Sequence, residues 1–406
     1  MQKARPHILF ALLIALMAGL FFSRFLLSVS TGAFLLSSLL HTDVRSHFRE
    51  FWRQPLCWGT SLLFFIPLVS GFWSDDRAQW IQMIQVKLPL LLLPLAFAWS
   101  PGFSKRHWRW LIAIFIGFIL GGSVFSLVDY SQHSVFYDQQ YLKGASFKTP
   151  LDNDHVRFSL MVFAAIVFSG FQYYRQQKHR FAWVWIGLLC FFIIYLHILA
   201  ARTGLLAFYV SLAGWLIYLF CKAKKRTALW VLFLIISIPL SAWFLVPSFQ
   251  NKMRLFRFET SYFLHGSYNP SSNDMVRVIS IRAGLSLLSA HPVAGTGYGD
   301  IINAARGWYK ENYPSMREED MIYPSSQFVL FAAGTGIPGL IIFCLVLFLP
   351  FFISMADPLP WRMIVSGLAI SYLFDIGLEV QYGVFLHCFI LFLSWQWMKR
   401  QNITSL

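Results

Sequence analysis

Residues 326–353 read SQFVLFAAGTGIPGLIIFCLVLFLPFFI, a stretch of apolar side chains without a single charge. The hydrocarbon core of a membrane is about 30 Å thick, and a helix crosses it with about 20 mostly apolar residues. This stretch therefore predicts a membrane-spanning helix, and comparable runs recur along the chain.

The composition of the whole chain also indicates a membrane protein. Hydrophobic residues make up 57% of the 406 residues and charged residues only 13%, against about 25% in a typical soluble domain. Too few polar side chains remain to cover a soluble surface. A disordered chain, a collagen and a soluble Rossmann enzyme are excluded. The formal charge of +15 would suggest nucleic acid for a soluble chain, but here it predicts contact with membrane lipids and no nucleic acid.

Runs of about 17 to 25 apolar residues predict an all-α integral membrane protein with about twelve transmembrane helices. The predicted spans are residues 8–22, 25–41, 54–72, 81–98, 108–129, 156–173, 182–200, 203–221, 228–246, 326–353, 361–378 and 381–398. Lysine and arginine are enriched in cytoplasmic loops. With the N-terminus inside, basic residues gather in the predicted inner loops, for example at 105–109 and 222–226. We therefore expect both termini in the cytoplasm.

One long connection separates predicted spans nine and ten on the outer, periplasmic side. We expect three parts within one membrane domain: residues 1–246 with nine spans, a periplasmic cap segment 247–323, and residues 324–406 with three spans and a cytoplasmic tail.

The cap segment is predicted to contain a helix. Ser272 or Asn273 can cap a helix over DMVRVISIRAGLSLLSA (274–290). The predicted apolar face consists of Met275, Ile279, Leu285 and Leu288. The sequence GTGYGD (295–300) follows. A helix end with a tight turn is preferred there over a phosphate cradle, because no strand precedes the glycines.

Cations collect on the predicted outer face, beside or within apolar segments. They are Lys87, Arg157, Arg202, Arg277 and Arg282. Charges at membrane depth are costly and usually functional, and arginine binds phosphate through two parallel hydrogen bonds. The pattern predicts a phosphate or pyrophosphate ligand at the membrane surface. The alternative is that each side chain reaches lipid head groups or pairs with a nearby aspartate.

A candidate general base lies beside one of these cations. DNDHVRFSL (152–160) places His155 near Arg157, where a helix enters the outer leaflet. A surface role is the alternative for this histidine. The sequence contains no HExxH, CxxC, GxSxG or Walker pattern, so it predicts neither a metal site nor a cofactor.

Several stretches resemble motifs of the O-antigen ligase and polymerase family. In order and spacing they are AARTGLLAF (200–208), NDMVRVISIRAGLSLLSAHPVAGTGYGD (273–300) and PSSQFVLFAAGTGIPGLIIF (324–343), and GFWSDDRAQWIQMIQVKLPLLLLPL (71–95) looks like the family's third-to-fourth helix region. The resemblance covers most of the chain.

The resemblance implies a metal-independent glycosyltransferase of the bacterial inner (cytoplasmic) membrane, with its active site facing the periplasm. Such enzymes move a glycan from undecaprenyl pyrophosphate to an acceptor hydroxyl, commonly on the lipid A core. Arg202 and Arg277 match family arginines that hold the pyrophosphate. Lys87, Arg157 and Arg282 are second-rank binding candidates, placed by their side of the membrane alone.

The chain departs from the family at one motif. Where the family commonly has Pro-His-Asn-Gln, this chain has Pro324, Ser325, Ser326 and Gln327. The family histidine is proposed to position or deprotonate the acceptor hydroxyl, and a serine is no base at neutral pH. By position, these two serines and the glutamine stay candidates for substrate binding.

Three explanations for the missing histidine stay open. Another group, such as His155, Asp154 or Glu319, serves the acceptor, or activation of the leaving group makes a base dispensable. The third is an altered acceptor or lost ligase activity.

The sequence is also compatible with functions other than that of a ligase. The nearest is a polysaccharide polymerase, whose acceptor is another lipid-linked glycan. From other classes come a flippase for lipid-linked glycans and a non-catalytic binding protein. The sequence has no visible internal repeat, which argues against a transporter.

Overall fold

The computed structural model describes residues 5–40, 43–98, 103–142, 144–151, 153–265, 268–270, 272–355 and 357–401. Within these ranges the chain is helical and contains no β-strand, so the predicted all-α class is confirmed.

The helices follow one another with short connections over most of the chain. In chain order they are α1 (Arg5–Phe22), α2 (Arg24–Leu39), α3 (Val44–Arg53), α4 (Pro55–Ser70), α5 (Arg77–Lys87), α6 (Pro89–Ala98), α7 (Lys105–Gln132), α8 (Ser134–Leu142), α9 (His155–Arg175), α10 (Ala182–Leu199), α11 (Arg202–Cys221), α12 (Lys225–Leu245), α13 (Pro247–His265), α14 (Asn273–Ala290), α15 (Ile301–Asn312), α16 (Gln327–Phe348), α17 (Pro358–Ser371) and α18 (Gln381–Gln401). Short 3-10 segments are Glu318–Asp320, Leu349–Phe352 and Gly377–Glu379.

The described residues contain 8 helices that are long and apolar enough to cross a membrane, or up to 9 if α2 and α3 form one span. The eight are α1, α5 with α6, α7, α9, α10, α11, α12, and α16 with the 3-10 segment that follows it. This supports a multi-pass membrane protein.

All twelve predicted runs coincide largely with helix, but some of these helices are short. Helices α4 and α17 have 16 and 14 residues, fewer than the ~20 that a perpendicular span requires. The count of twelve spans stays a prediction.

Burial distinguishes a central helix from a peripheral one. Helix α9 is buried over most of its length and packs against α7, α10, α11, α17 and α18. Helix α12 instead exposes Leu229, Trp230 and Phe233, each by more than half of its surface (61%, 61% and 58%). A helix with apolar side chains facing outward suits contact with lipid.

The segment 247–323 contains three helices, α13, α14 and α15, and an apolar cluster of its own. Met275, Ile279 and Leu287 of α14 pack there with Tyr309 of α15. The predicted helix start is confirmed, because the Ser272 hydroxyl accepts a hydrogen bond from the Met275 amide at 3.2 Å.

One residue of the predicted apolar face was placed wrongly. Leu285 is 49% exposed, while Ala283 and Gly284 are buried. A Cβ added to Gly284 would lie 2.5 Å from Val329 and 2.8 Å from Pro324. Close packing of α14 against α16 therefore selects the small residues for the buried face.

A buried ion pair connects distant parts of the chain. Lys87, at the end of α5, is fully buried, pairs with Glu379 and donates to the Leu378 carbonyl at 3.1 Å. The ring of Tyr298 lies 4.9 Å from the Lys87 ammonium nitrogen. Pro89 follows just beyond, where one helix ends and the next begins.

The carboxylate of this pair is also hydrogen-bonded. Glu379 Oε1 accepts from Gln327 Nε2 at 2.7 Å and from the Tyr298 hydroxyl at 3.1 Å. Gln327 Oε1 accepts from the Leu378 amide at 3.0 Å. The network thus joins α5, α16, the segment 377–379 and the loop before α15.

Breaking this pair should destabilise the protein. Lys87→Met leaves the Glu379 carboxylate buried without its cation, which typically costs about 3–5 kcal/mol. Adding Glu379→Gln removes the unpaired charge and should restore part of the stability. Thermal unfolding of the purified protein in detergent measures both effects.

The control for this test is Glu50→Gln. It removes the solvent-facing pair of Glu50 with Arg53 (2.9 Å), worth about 0–1 kcal/mol. Equal losses for Lys87→Met and Glu50→Gln would contradict the structural importance of the buried pair.

Candidate functional site

A cavity of about 480 Å³ lies between α14, α15 and the segments that flank α16 and α17. Its lining consists of Arg277, Ile302, Arg306, Met321, Ile322, Tyr323, Ser325, Phe374, Asp375 and Ile376. This volume is in the usual range for a ligand site, about 300–1,000 Å³. The cavity brings together two residues predicted from the sequence, Arg277 and Ser325, although they are far apart in the chain.

Two arginines give the cavity a positive wall. Arg277 lies on α14 and Arg306 on α15, and both are exposed. Within the described parts of the chain, neither guanidinium forms an ion pair with a carboxylate. Both cations are therefore available to an anionic ligand.

The cavity also has a carboxylate in its wall, Asp375, which is mostly enclosed (14% exposed) and is paired. Asp375 Oδ2 accepts from Arg157 Nη2 at 2.9 Å, and Arg157 Nε lies 3.5 Å from Asp154 Oδ2. Arg157, one of the predicted phosphate ligands, is thus engaged with two aspartates.

The hydroxyl groups of the cavity are held in defined positions. The Ser325 and Ser280 hydroxyl oxygens lie 3.0 Å apart, and the Ser325 amide donates to Ser280 Oγ at 3.0 Å. The Tyr323 hydroxyl accepts from Gln79 Nε2 at 2.7 Å, which leaves its own proton for a ligand. Burial, with the nearby charge of Glu379, raises the pKa of Tyr323 to about 12, so the phenol stays neutral.

The other two motif residues do not line the cavity. Ser326 donates to the Tyr372 carbonyl at 3.4 Å, and Gln327 belongs to the buried network around Glu379. These contacts fix the backbone beside Ser325. Their predicted role in substrate binding stays a prediction, and the observed role is to support the cavity wall.

Arg202 lies outside the cavity lining. Its guanidinium pairs with Asp274 and with Glu259 (3.4 Å), and its carbon lies 5.3 Å from the centre of the Phe256 ring. Asp274 is three residues before Arg277 on the first turn of α14. Arg202 therefore joins α11 to α13 and to the start of the helix that carries Arg277.

The two carboxylates around Arg202 influence each other. Burial and the neighbouring Asp274 raise the pKa of Glu259. Burial also acts to raise the pKa of Asp274, but its hydrogen bond with Glu259 and the charge of Arg202 hold it below the ordinary value. Asp274 is therefore the more acidic of the two carboxylates that pair with Arg202.

The remaining predicted residues are elsewhere. Lys87 is in the buried network, and the exposed Arg282 donates to the Tyr313 hydroxyl at 3.4 Å. His155 begins α9 and is not part of the cavity lining. Asp154 is engaged with Arg157, and Glu319 pairs with Arg317 at 2.7 Å. Their functional roles stay predictions.

The glycine-rich turn is occupied by protein contacts. The amides of Thr296 and Gly297 donate to the carbonyls of Ala333 (2.8 Å) and Gly334 (3.1 Å). Gly295 has φ +70°, and a Cβ there would lie 2.4 Å from Gly334. The turn thus packs into α16, and these amides are not free for phosphate. The predicted helix end with a turn is confirmed.

Sequence reasoning missed Arg306, Tyr323 and Asp375. Tyr323 directly precedes the Pro324 motif, and Asp375 is an acidic residue at the end of an apolar run. Both positions could therefore have been recognised as candidates from the sequence. Arg306 belongs to α15, which has no recognisable motif.

A family model described as O-antigen ligase matches residues 187–344. The matched segment includes Arg202, Arg277, Arg306 and Ser325, whereas Asp375 lies beyond it. No curated protein matches the chain. The match confirms the resemblance to the O-antigen ligase and polymerase family over that segment.

Lys252, close to the Arg202 cluster, makes stability depend on pH. Burial and then the charge of Arg202 lower its pKa from 10.5 to about 8, and its ammonium group donates to the Gly144 carbonyl at 3.0 Å. Between these pH values the unfolded chain binds more protons than the folded one. Stability should therefore rise from pH 8 towards pH 10.

Lys252→Met should weaken this rise, and thermal unfolding at pH 7.5 and pH 9.5 measures it. Lys310→Met, at an exposed position of α15, is the control, and its stability should rise with pH as that of the wild type does. An unchanged rise in Lys252→Met would refute the assignment.

Proposed function

We propose that this protein is a membrane glycosyltransferase of the O-antigen ligase type. It moves a glycan from undecaprenyl pyrophosphate to a hydroxyl group of the lipid A core. The observation that carries the proposal is the cavity in which Arg277 and Asp375 meet, beside a segment that matches the O-antigen ligase model.

The proposed setting is the bacterial inner membrane, with both termini in the cytoplasm and the cavity facing the periplasm. Residues 247–323 form the periplasmic cap over the donor, and the prenyl tail extends into lipid between helices. The excess of basic residues in alternate loops supports this orientation.

On the donor side, the leaving group is a lipid diphosphate that gains negative charge as the glycosidic bond breaks. Fixed cations aimed at that charge lower the barrier. Arg277 suits this role because its guanidinium faces the cavity without a carboxylate partner among the described residues, and guanidinium groups bind phosphate oxygens bidentately.

Arg202 acts on the same step through Arg277. The resemblance assigns it to the pyrophosphate, but its observed partners are Asp274 and Glu259. We assign it a positioning role: it fixes the first turn of α14. Arg202→Lys, which keeps a cation beside Asp274, should then restore the donor affinity lost in Arg202→Ala.

On the acceptor side, Asp375 is the proposed proton acceptor. The acceptor oxygen attacks the anomeric carbon, the bond from that carbon to the diphosphate oxygen breaks, and the hydroxyl proton passes to the Asp375 carboxylate. A single displacement of this kind inverts the configuration. Asp375 lines the cavity, and its pair with Arg157 at 2.9 Å holds the carboxylate in place.

A polysaccharide polymerase is the second candidate. Ser325 at the family's histidine position favours it, because that position serves the acceptor and a polymerase uses a different acceptor. The donor chemistry would be the same.

Arg277→Ala should reduce transfer by about 10²–10³. The measurement is glycan transfer from undecaprenyl pyrophosphate to lipid A core by the purified protein, with EDTA and without ATP. Arg254→Ala removes an exposed arginine of α13 and is the control. If the wild-type protein binds the donor but transfers no glycan, the ligase function is rejected in favour of a polymerase or a binding protein.

Asp375→Asn should reduce transfer by about 10²–10⁴. Because the base must be deprotonated, the wild-type rate should fall at acid pH as Asp375 takes up a proton, and this acid limb should vanish in the variant. A pH series of single-turnover rates tests both points.

The control for this series is Asp357→Asn. Asp357 precedes α17 at its other end, where it pairs with Arg175 at 3.0 Å. An Asp375→Asn enzyme with the wild-type rate and acid limb would exclude Asp375 as the base.

A further inference from the structure

We propose that Arg306 is a second donor-binding residue, which together with Arg277 binds the two phosphates of the prenyl diphosphate. This inference rests on the function proposed above. It gives a role to a residue that no sequence motif marks, and it predicts that the cavity binds a diphosphate more tightly than a monophosphate.

The packing of α15 aims Arg306 at the cavity. Ile301, Ala305 and Tyr309 recur every four residues and are buried, so they form the face that packs on the protein. Ile302 and Arg306, also four residues apart, both line the cavity. Side chains at this spacing lie on the same side of a helix.

The helix that carries Arg306 is anchored at both ends. At its start, the Asp300 carboxylate accepts from the amides of Asp75 (2.8 Å) and Asp76 (2.9 Å). Towards its end, the Tyr309 hydroxyl donates to the Ile322 carbonyl at 2.8 Å. Ile322 itself lines the cavity, so α15 and the opposite wall keep a fixed separation.

The acidic residues in and beside the cavity have partners other than Arg306. Asp375 pairs with Arg157, Asp320 with Arg317, and the Asp76 carboxylate accepts from Asn303. In the described chain, Arg306 forms no ion pair with any of them. A guanidinium that faces a cavity without a carboxylate partner is suited to an anion brought by the ligand.

The form of the site matches a ligand with two anionic groups. Arg277 and Arg306 come from different helices, so they can approach an anion from two directions. Tyr323 and Ser325 add hydroxyl groups to the same space. A diphosphate carries two anionic phosphoryl groups and can present one to each guanidinium, whereas a monophosphate has a single group for both. An acidic sugar of the glycan presents similar anionic chemistry, and the experiment separates the two sources.

The test measures binding rather than transfer. Undecaprenyl pyrophosphate without a glycan, undecaprenyl monophosphate and a soluble uronic acid disaccharide are each titrated into the purified full-length protein in nanodiscs. The wild type should prefer the diphosphate over the monophosphate. Arg306→Ala should weaken diphosphate binding about tenfold or more, the equivalent of about 1.4 kcal/mol, and reduce this preference.

Two further variants separate a binding role from damage to the fold. Arg306→Lys keeps the charge but not the bidentate geometry, so its affinity should be intermediate. Lys310→Ala removes a cation one turn further along α15, outside the cavity lining, and should bind like the wild type.

Three results would overturn the proposal. If Arg306→Ala keeps the wild-type affinity for the diphosphate while Arg277→Ala loses it, Arg306 is not a donor-binding residue, and the proposed function is unaffected. Loss of disaccharide binding alone in Arg306→Ala would assign the residue to the glycan. No diphosphate binding by the wild type would contradict the proposed function itself.

Discussion

The buried ion pair of Lys87 and Glu379 is the constraint on which the site depends. A charge is buried in a protein only when a partner compensates it, so the end of α5 and the segment 377–379 have to meet. Gln327 bonds to the same carboxylate. Two residues before Gln327 is Ser325, and four before Glu379 is Asp375. The network therefore fixes two cavity walls that belong to distant parts of the chain.

The arginines around the cavity fall into two groups by their partners. Arg157 and Arg202 are paired with carboxylates and hold elements together. Arg277 and Arg306 face the cavity without such partners in the described residues. Sequence alone gives all four the same charge. Only the position of Asp375, Asp274 and their neighbours separates the structural cations from those available to a ligand, and this separation underlies the proposed donor site.

Much of the fold could be predicted from local patterns, because apolar runs and caps act over a few residues. The start of α14 at Ser272 and the family resemblance around Arg277 are examples. Other features depend on contacts between distant residues. Leu285 fits a helical apolar pattern but is exposed, because α14 packs against α16 through the neighbouring Gly284, where a larger side chain would clash. Asp375 and Arg306 belong to the site only because α14, α15 and the end of α17 converge.

The most direct test of the account is a cryo-EM structure of the protein in nanodiscs with undecaprenyl pyrophosphate bound. We expect diphosphate density in the cavity, in contact with Arg277 and Arg306, with the pairs of Arg202 to Asp274 and Glu259 intact. Diphosphate density on Arg202, with those pairs broken and the cavity empty, would contradict it.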